Sequence, residues 1–263
     1  MNWWRKILPS VVLLILLLAA WEAAVDTFQI SDLLLPAPSR IVDGMITSAP
    51  VYLRHTWPTL AEILLGYAIA LALGTLCGLV IAFSRVLGDA MYPGMVAAQI
   101  MPKVAFAPLL VVWFGFGMLP KLILIALIAF FPIVINTVVA LNMTLQETIY
   151  LFRSMGAGPV QTFFKLRLPN ALPVFFGGLK IAATFSVIGV VVAEFYSSDR
   201  GLGYLLLLQV SNGSTTRAFG SIVYLTILGL LIFGLVAAIE RVFVPAHIRK
   251  RFDDTAIRHR GDE

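Results

Sequence analysis

The sequence predicts an all-α membrane protein with six transmembrane helices. Hydrophobic residues fill 60% of the 263 positions and charged residues 13%, whereas soluble domains are roughly half apolar and a quarter charged. Six apolar runs approach or exceed the roughly 20 residues that a helix needs to cross a bilayer. The formal charge is +5. Because the cations flank these runs, membrane topology and lipid headgroups explain them better than nucleic acid does.

The apolar runs divide the chain into three parts. Residues 1–58 contain a first span at Ile7–Val25 and an external connection with a short amphipathic helix near Ser39–Ala49. Residues 59–244 form the membrane core, and residues 245–263 form a polar, basic tail. A short apolar helix at Leu202–Val210 is too short to cross. The five spans of the core are predicted at Thr59–Ser84, Met91–Gly115, Leu119–Asn142, Ala171–Glu194 and Gly220–Val244.

The first apolar run has two possible interpretations. Arg5 and Lys6 precede it, as they would in a signal peptide. Residues 19–25 contain no A-x-A cleavage pattern, and the run approaches full spanning length. We therefore expect a retained transmembrane helix.

The distribution of Lys and Arg predicts the orientation in the membrane. Six spans place both termini on one side, and that side holds twelve of these cations against five on the other. Cytoplasmic loops carry the excess of positive charge, so both termini and the segment 143–170 are predicted to be cytoplasmic. The twelve are Arg5, Lys6, Arg85, Arg153, Lys165, Arg167, Arg241, Arg249, Lys250, Arg251, Arg258 and Arg260; the five are Arg40, Arg54, Lys121, Arg200 and Arg217.

The third span is unusual because it combines prolines with a charge. Pro102 and Pro108 are expected to kink a helix inside the bilayer. Lys103 lies between them, and a cation at that depth costs about 3 kcal/mol or more unless it faces water or a partner. A lysine that extends to the membrane surface is the alternative. We predict a translocation pathway that includes these three residues together with Asn136 and Glu194 of the next two spans.

Two glycines of the second span have a spacing that suits helix packing. Gly74 and Gly78 form a G-x-x-x-G pattern. This pattern allows close approach of another helix, although chance in a glycine-containing apolar run explains it equally well.

The segment 143–170 is polar but strongly patterned. Gly156 and Gly158 are expected to end a first helix, and Pro159 suits the first position of a second helix, which should stop at Pro169. Exposed apolar residues on such a projection predict either a groove on a partner protein or contact with the membrane surface. The first helix is indicated by apolar residues at helical spacing, Leu145, Ile149, Phe152 and Met155.

The sequence contains no recognisable catalytic centre. The phosphate-binding pattern G-x-x-x-x-G-K-[ST] does not occur. His55, His247 and His259 are scattered in polar segments, and Cys77 is the single cysteine, a distribution that does not favour a metal site. We expect this chain to bind no cofactor and no metal and not to be an enzyme itself.

Two motifs of the segment 143–170 resemble a known family. R-S-M-G-A at Arg153–Ala157 and L-R-L-P at Leu166–Pro169 resemble the cytoplasmic loop of the membrane subunits of ATP-binding-cassette (ABC) importers. In that loop a Glu-Ala-Ala triplet usually comes first, and here Tyr150, Leu151 and Phe152 replace it. Three other stretches resemble the nitrate, sulfonate, taurine and bicarbonate branch: Pro102–Gly117, Ala129–Thr137 and Ala193–Leu205.

The resemblance implies a complete transport mechanism. The fold would be that of a type I importer permease, the MetI-like fold, and two copies would form the pore in the bacterial inner membrane, surrounded by lipid. Two cytoplasmic ATPase subunits would use ATP and Mg, and an external binding protein would deliver a small solute, with sulfonate, taurine and nitrate among the candidates. The coupling loop would comprise Tyr150, Leu151, Phe152, Arg153, Ser154, Met155, Gly156, Ala157, Gly158, Phe163, Leu168 and Pro169.

Two other classes of membrane protein are less consistent with the residues. A secondary, ion-coupled transporter would use carboxylates in the middle of the membrane, whereas Glu62 and Glu194 are predicted near span ends. An integral-membrane enzyme would need a cluster of polar residues, which the sequence does not suggest.

Overall fold

The computed structural model describes residues 4–244, without the side chains of residues 4–7, 85 and 92. Regular structure in that range is helical throughout. A short 3-10 turn occupies Lys103–Ala105, and a π-turn occupies Phe163–Arg167. The α-helices are α1 (Trp4–Thr27), α2 (Pro38–Thr47), α3 (Ala49–Phe83), α4 (Arg85–Ile100), α5 (Phe106–Phe114), α6 (Met118–Asn142), α7 (Gln146–Ser154), α8 (Pro159–Thr162), α9 (Leu168–Ser197), α10 (Leu202–Ser211) and α11 (Thr215–Phe243).

Five helical runs among these residues are long and apolar enough to cross a membrane. They are α1, α3, α6, the continuous run Pro159–Ser197 and α11. A sixth crossing results if α4 and α5 count as one span, which is bent by 70° at its break. The prediction of six helical spans is therefore consistent with the structure. The predicted basic tail, 245–263, lies outside the described residues.

Several spans begin earlier than the sequence predicted. Helix α3 starts at Ala49 instead of Thr59, and α11 starts at Thr215 instead of Gly220. The predicted boundaries followed the apolar runs, but the added turns bury side chains outside those runs, including Tyr52 at 0% exposure. The two short helices α2 and α10 lie where they were predicted.

The described residues cluster into two compact units. The first contains the chain up to Thr59 together with Ser198–Ile227. Hydrogen bonds from side chains connect its helices. Oη of Tyr52 in α3 donates to the carbonyl of Arg217 in α11 at 2.9 Å. The carboxylate of Glu22 accepts hydrogen bonds from the amide (3.0 Å) and the hydroxyl (2.6 Å) of Ser39 in the first turn of α2. A carboxylate there satisfies free amides and complements the helix dipole.

The second unit contains Leu60–Ser197 and the chain from Leu228 onwards. In it, α3 and α6 run parallel and approach closely along a glycine stripe. A Cβ on Gly66 would lie 2.6 Å from Cγ2 of Ile125, and one on Gly78 would lie 2.6 Å from Cβ of Thr137. Between them, a Cβ on Gly74 would lie 3.0 Å from Ile133. Each partner lies 59 positions further along the chain, so one register holds throughout. The Gly74–Gly78 pattern is therefore a helix-packing site.

Helix α9 packs antiparallel against the same α6. A Cβ on Gly178 would overlap Asn136, and one on Gly189 would lie 3.1 Å from Cα of Ile125. In both pairs the two residue numbers add up to the same total. This is expected when one helix runs in the opposite direction to the other. Helices α3, α6 and α9 therefore form the packed centre of this unit.

Candidate functional site

The predicted corner between two helices is present at Gly156. Helix α7 ends at Ser154, the amide of Gly156 bonds to the carbonyl of Arg153 at 3.0 Å, and the amide of Ala157 bonds to the carbonyl of Phe152 at 3.1 Å. These two bonds define a Schellman motif, whose C′ residue adopts a left-handed conformation. Gly156 has φ +84°, a backbone conformation that is unfavourable for residues with a β-carbon. The left-handed backbone conformation at this corner therefore explains why position 156 is a glycine.

Helix α7 presents one face to the surroundings and one to the protein. Ile149 is buried and Phe152 is half-buried. Tyr150 and Leu151 are 64% and 58% exposed, and with Glu147 and Ser154 they form one stripe of the helix at positions i, i+3, i+4 and i+7. The predicted apolar side is only partly buried, because Leu145 and Met155 at its two ends are exposed.

Residues after the corner continue into the membrane span without a stop. Pro159 occupies the first turn of α8, as predicted. The prediction that Pro169 ends this helix is wrong, because Pro159–Ser197 is one continuous helical run. Pro169 has no amide hydrogen to donate to the carbonyl four residues earlier, at Lys165. That carbonyl lies in the wider π-turn, Phe163–Arg167, which accommodates the missing bond. Asn170 Nδ2 also donates to the carbonyl of Leu166 at 3.0 Å.

Two of the residues assigned to the coupling loop face the protein itself. The ring of Phe163 packs against Phe83 at 5.3 Å between centroids, and both Phe163 and Leu168 line an apolar cavity. Val160 and Phe164 are exposed instead, at 69% and 60%. We call the segment from Gln146 to Arg167 the coupling segment; its exposed apolar surface consists of Tyr150, Leu151, Met155, Val160 and Phe164.

The third span breaks at Met101 and Pro102, beside Lys103. Nζ of Lys103 donates to the carbonyl of Gln99 at 2.7 Å and lies 4.8 Å from the ring centroid of Phe131. The first contact satisfies a carbonyl in the last turn of α4, and the second is a cation–π contact. Pro108 does not add a kink, contrary to the prediction, because it lies in the first turn of α5, where an amide is free in any case.

The other predicted pathway residues lie on α6 and α9. Asn136 Nδ2 donates to the carbonyl of Pro132 at 2.8 Å, and the residue packs against Gly178. Glu194 is fully buried near the end of α9. The packing of Asn136 against a glycine indicates a role in holding α6 to α9.

The sequence interpretation missed two ion pairs within the spans. Lys121 and Glu62 form a buried pair between α6 and α3, at 4% side-chain exposure each. The cation count includes Lys121 among the external residues; the structure shows that Lys121 lies in the first turn of α6 and that its charge is buried in this pair. Lys180 of α9 pairs with Glu240 of α11 at 2.7 Å. The signal for the first pair was available, because Glu62 begins the four-residue repeat that continues at Gly66, Ala70, Gly74 and Gly78.

A large cavity with a mixed polar and apolar lining lies beside the coupling segment. It has a volume of about 990 Å³ between the ends of α3 and α6, the helix α4 and Arg167. Nε of Arg167 is buried there without a hydrogen-bond partner, and Asp89 also lines the cavity. Among residues 4–244, no group of three or more His, Cys, Asp or Glu is arranged to hold a metal ion.

Comparison with known proteins identifies the family. Residues 70–246 match the family described as "Binding-protein-dependent transport system inner membrane component". The chain belongs to this family. It is therefore a multi-pass protein of the inner membrane and the permease component of an ABC transporter, in which ATP hydrolysis is carried out by a separate subunit. The family binds no cofactor in its permease component.

Relatives of the permease carry different solutes according to their names. It is 34% identical to the formylaminopyrimidine transport permease ThiX of Halalkalibacterium halodurans, over 90% of this chain and 95% of ThiX. It is 34% identical to the riboflavin transport permease RibX of Chloroflexus aurantiacus, over 89% of this chain and 88% of RibX. Permeases named for aliphatic sulfonates, taurine and nitrate match at 26–29% identity, which confirms the resemblance to that branch.

The fold also has a solved counterpart. A chain of the MetNI methionine ABC transporter, in an inward-facing conformation, superposes with a TM-score of 0.62 and 21% sequence identity. The match covers 76% of this permease and 99% of that chain. The predicted MetI-like, all-helical fold is thereby confirmed.

Proposed function

We propose that two copies of the permease form the translocation pathway, and that each coupling segment binds one of two cytoplasmic ATPase subunits. An external binding protein delivers a small solute to the pathway. Closure of the ATPases around ATP and Mg moves the coupling segments and switches the pathway from inward-open to outward-open. The orientation predicted from the cation count, with both termini in the cytoplasm, places the coupling segment on the side where ATP is available.

The observation that carries this proposal is the exposed surface of the coupling segment. Tyr150 and Leu151 are exposed on α7, beside the corner at which Gly156 adopts its left-handed conformation. Large apolar residues clustered on a projection are typical of protein contact sites. The segment continues through the π-turn into α9 without interruption, so a force applied to the corner is transmitted directly to a helix of the packed centre.

Coupling is tested with the complete transporter in proteoliposomes. The permease, its ATPase and its binding protein are reconstituted, and solute uptake and ATP hydrolysis are measured with Tyr150→Ser/Leu151→Ser and with Thr226→Ser on α11 as a matched control. We expect the double variant to insert normally but to lose at least tenfold in uptake and in ATPase co-purification. Normal co-purification of the ATPase with that variant would count against the proposal. Solute uptake by the permease alone on a pH gradient would support a secondary transporter.

The solute is a separate part of the proposal. Among the relatives compared, the two at 34% identity are named for a formylaminopyrimidine and for riboflavin, and those named for small anions are less similar. These similarities favour a nitrogen heterocycle, and a small anion such as sulfonate, taurine or nitrate is the second candidate, favoured by Lys103 at the break of the third span. Calorimetric titration of the cognate binding protein with both classes decides between them.

A further inference from the structure

A cavity of about 260 Å³ lies where the coupling segment joins the membrane spans. Its walls come from α3, α6 and the run from the π-turn into α9, and its surface is apolar. Several of its lining side chains are only half-buried, so the cavity can be reached from outside the protein. The lining includes Leu79, Ala140, Leu141, Phe163, Leu172 and Phe175.

The cavity is unsuited to water. A buried water needs two to four polar partners, and an apolar cavity of ~150 Å³ stays dry and binds benzene. The hydroxyl of Thr137 already donates to the carbonyl of Ile133 at 2.6 Å. Oγ1 of Thr75 is buried without a hydrogen-bond partner, and one such atom cannot hold a water. The cavity therefore favours an apolar occupant that is at least as large as a small ring.

The charge beside the cavity indicates what the occupant carries at its polar end. Between Thr148 and Asn170 the sequence contains three cations and no Asp or Glu. One of them, Lys165, is exposed in the π-turn, between Phe163 and Leu168, which both line the cavity. Lys and Arg side chains near a membrane surface attract anionic lipids. An anionic phospholipid combines an apolar chain, which suits the cavity, with an anionic headgroup, which suits the surface beside Lys165.

We propose that this cavity binds one acyl chain of an anionic phospholipid from the leaflet next to the coupling segment, with the headgroup phosphate near Lys165. The chain fills the space between the π-turn and helices α3 and α6. A bound lipid then supports the π-turn, which offers fewer well-formed backbone bonds than an α-helix. The site is a property of the permease itself and does not depend on the ATPase or on the transported solute.

The experiment uses the purified full-length permease, without the ATPase, in mixed micelles. The probes are phosphatidylglycerol and phosphatidylcholine that carry the same photoreactive acyl chain, and mass spectrometry locates the adducts. We expect adducts on peptides containing Thr75, Leu79 and Leu172, at least fivefold more abundant with phosphatidylglycerol. Lys165→Glu should abolish that preference, because it reverses the charge at the headgroup.

Two filling variants and one control test the location. Leu172→Trp fills the cavity from α9, and Thr75→Phe fills it from α3. Ile181→Trp, at an exposed position on the opposite face of α9, is the matched control. We expect the filling variants to lose at least fivefold in cavity adducts and the control to keep them.

Folding of each variant is checked by size-exclusion chromatography. If both filling variants misfold, competition of unlabelled phosphatidylglycerol against unlabelled phosphatidylcholine on the unmodified permease decides. Equal labelling or equal competition by the two lipids would overturn the proposal. So would crosslinking of a photoreactive residue at position 172 to a second permease copy in place of lipid.

Discussion

Lys121 and Glu62 form a buried ion pair at the N-terminal end of the register that joins α6 to α3. The residues are 59 positions apart, the same separation as in the contacts of Gly66, Gly74 and Gly78. The pair therefore belongs to the same helix interface. Charges inside a membrane protein are costly unless they are paired, so this interface combines close backbone approach with a specific electrostatic contact.

Removing one partner of this pair should destabilise the permease strongly. Lys121→Met removes the ammonium that pairs with the buried carboxylate of Glu62, and breaking a buried ion pair by removing one partner typically costs about 3–5 kcal/mol. We expect a lower yield and a lower thermal midpoint of the detergent-solubilised protein. The double variant Glu62→Leu/Lys121→Met should recover most of the loss, because it removes both charges. A double variant as unstable as the single one would show that the charges themselves are needed.

The glycine interface predicts a contrast between two conservative substitutions. Gly78→Ala places a β-carbon 2.6 Å from Cβ of Thr137 and 3.1 Å from the carbonyl of Val134, so α3 and α6 must separate. Gly177→Ala in α9 has nothing within 4 Å and should be neutral or stabilise by up to about 1 kcal/mol, because alanine favours helix. Thermal midpoints of the two variants check this. Equal midpoints would mean that the helices are not in close contact.

The corner of the coupling segment predicts a graded series at one position. Gly156→Ala introduces about 1–2 kcal/mol of strain at φ +84°, whereas Gly156→Asn should be milder, because Asn adopts this conformation more readily. Gly158→Ala is the matched control, since Gly158 is extended and has open space around it. ATPase stimulation by the loaded binding protein should fall in the order Gly, Asn, Ala at position 156. An equally large effect of Gly158→Ala would contradict a role for the left-handed corner.

Lys103 predicts a separation between transport and stability. Lys103→Met removes the hydrogen bond to Gln99 and the contact with Phe131, and both contacts lie at the break between α4 and α5. We expect solute uptake to fall severalfold while the thermal midpoint changes little, because the side chain is partly exposed. Lys103→Arg should retain most of the uptake. Unchanged uptake in the Met variant would assign Lys103 to the membrane surface instead.

The sequence predicted the number of spans and the glycine corner because each depends on local chemistry. Apolar length determines a span, and Gly156 followed by Pro159 determines a helix end and a helix start. It did not predict where α3 begins, because the extra turns are stabilised by the burial of Tyr52 in tertiary contacts. Periodicity along one helix does not report such contacts.

Pro169 shows a different limit. A proline after an amphipathic helix ordinarily signals its end, and the π-turn that accommodates Pro169 has no recognised sequence pattern. The four-residue repeat that begins at Glu62 places this carboxylate on the glycine face of α3, but the repeat does not identify Lys121, 59 positions later, as its partner. For the candidate site, the sequence located the exposed corner but also included Phe163 and Leu168, which face the cavity inside the protein.

The close contacts of α6 with α3 and with α9 limit how the packed centre can move. Small residues on α3 recur every four positions, and its glycines Gly66, Gly74 and Gly78 lie opposite β-branched residues of α6. The helix rise is 1.5 Å per residue. A sliding motion would bring side chains into collision until the next small residue of α3 arrived, after about 6 Å. Small longitudinal displacements of α3 along α6 are therefore blocked. We expect these helices to tilt together as a single rigid piece.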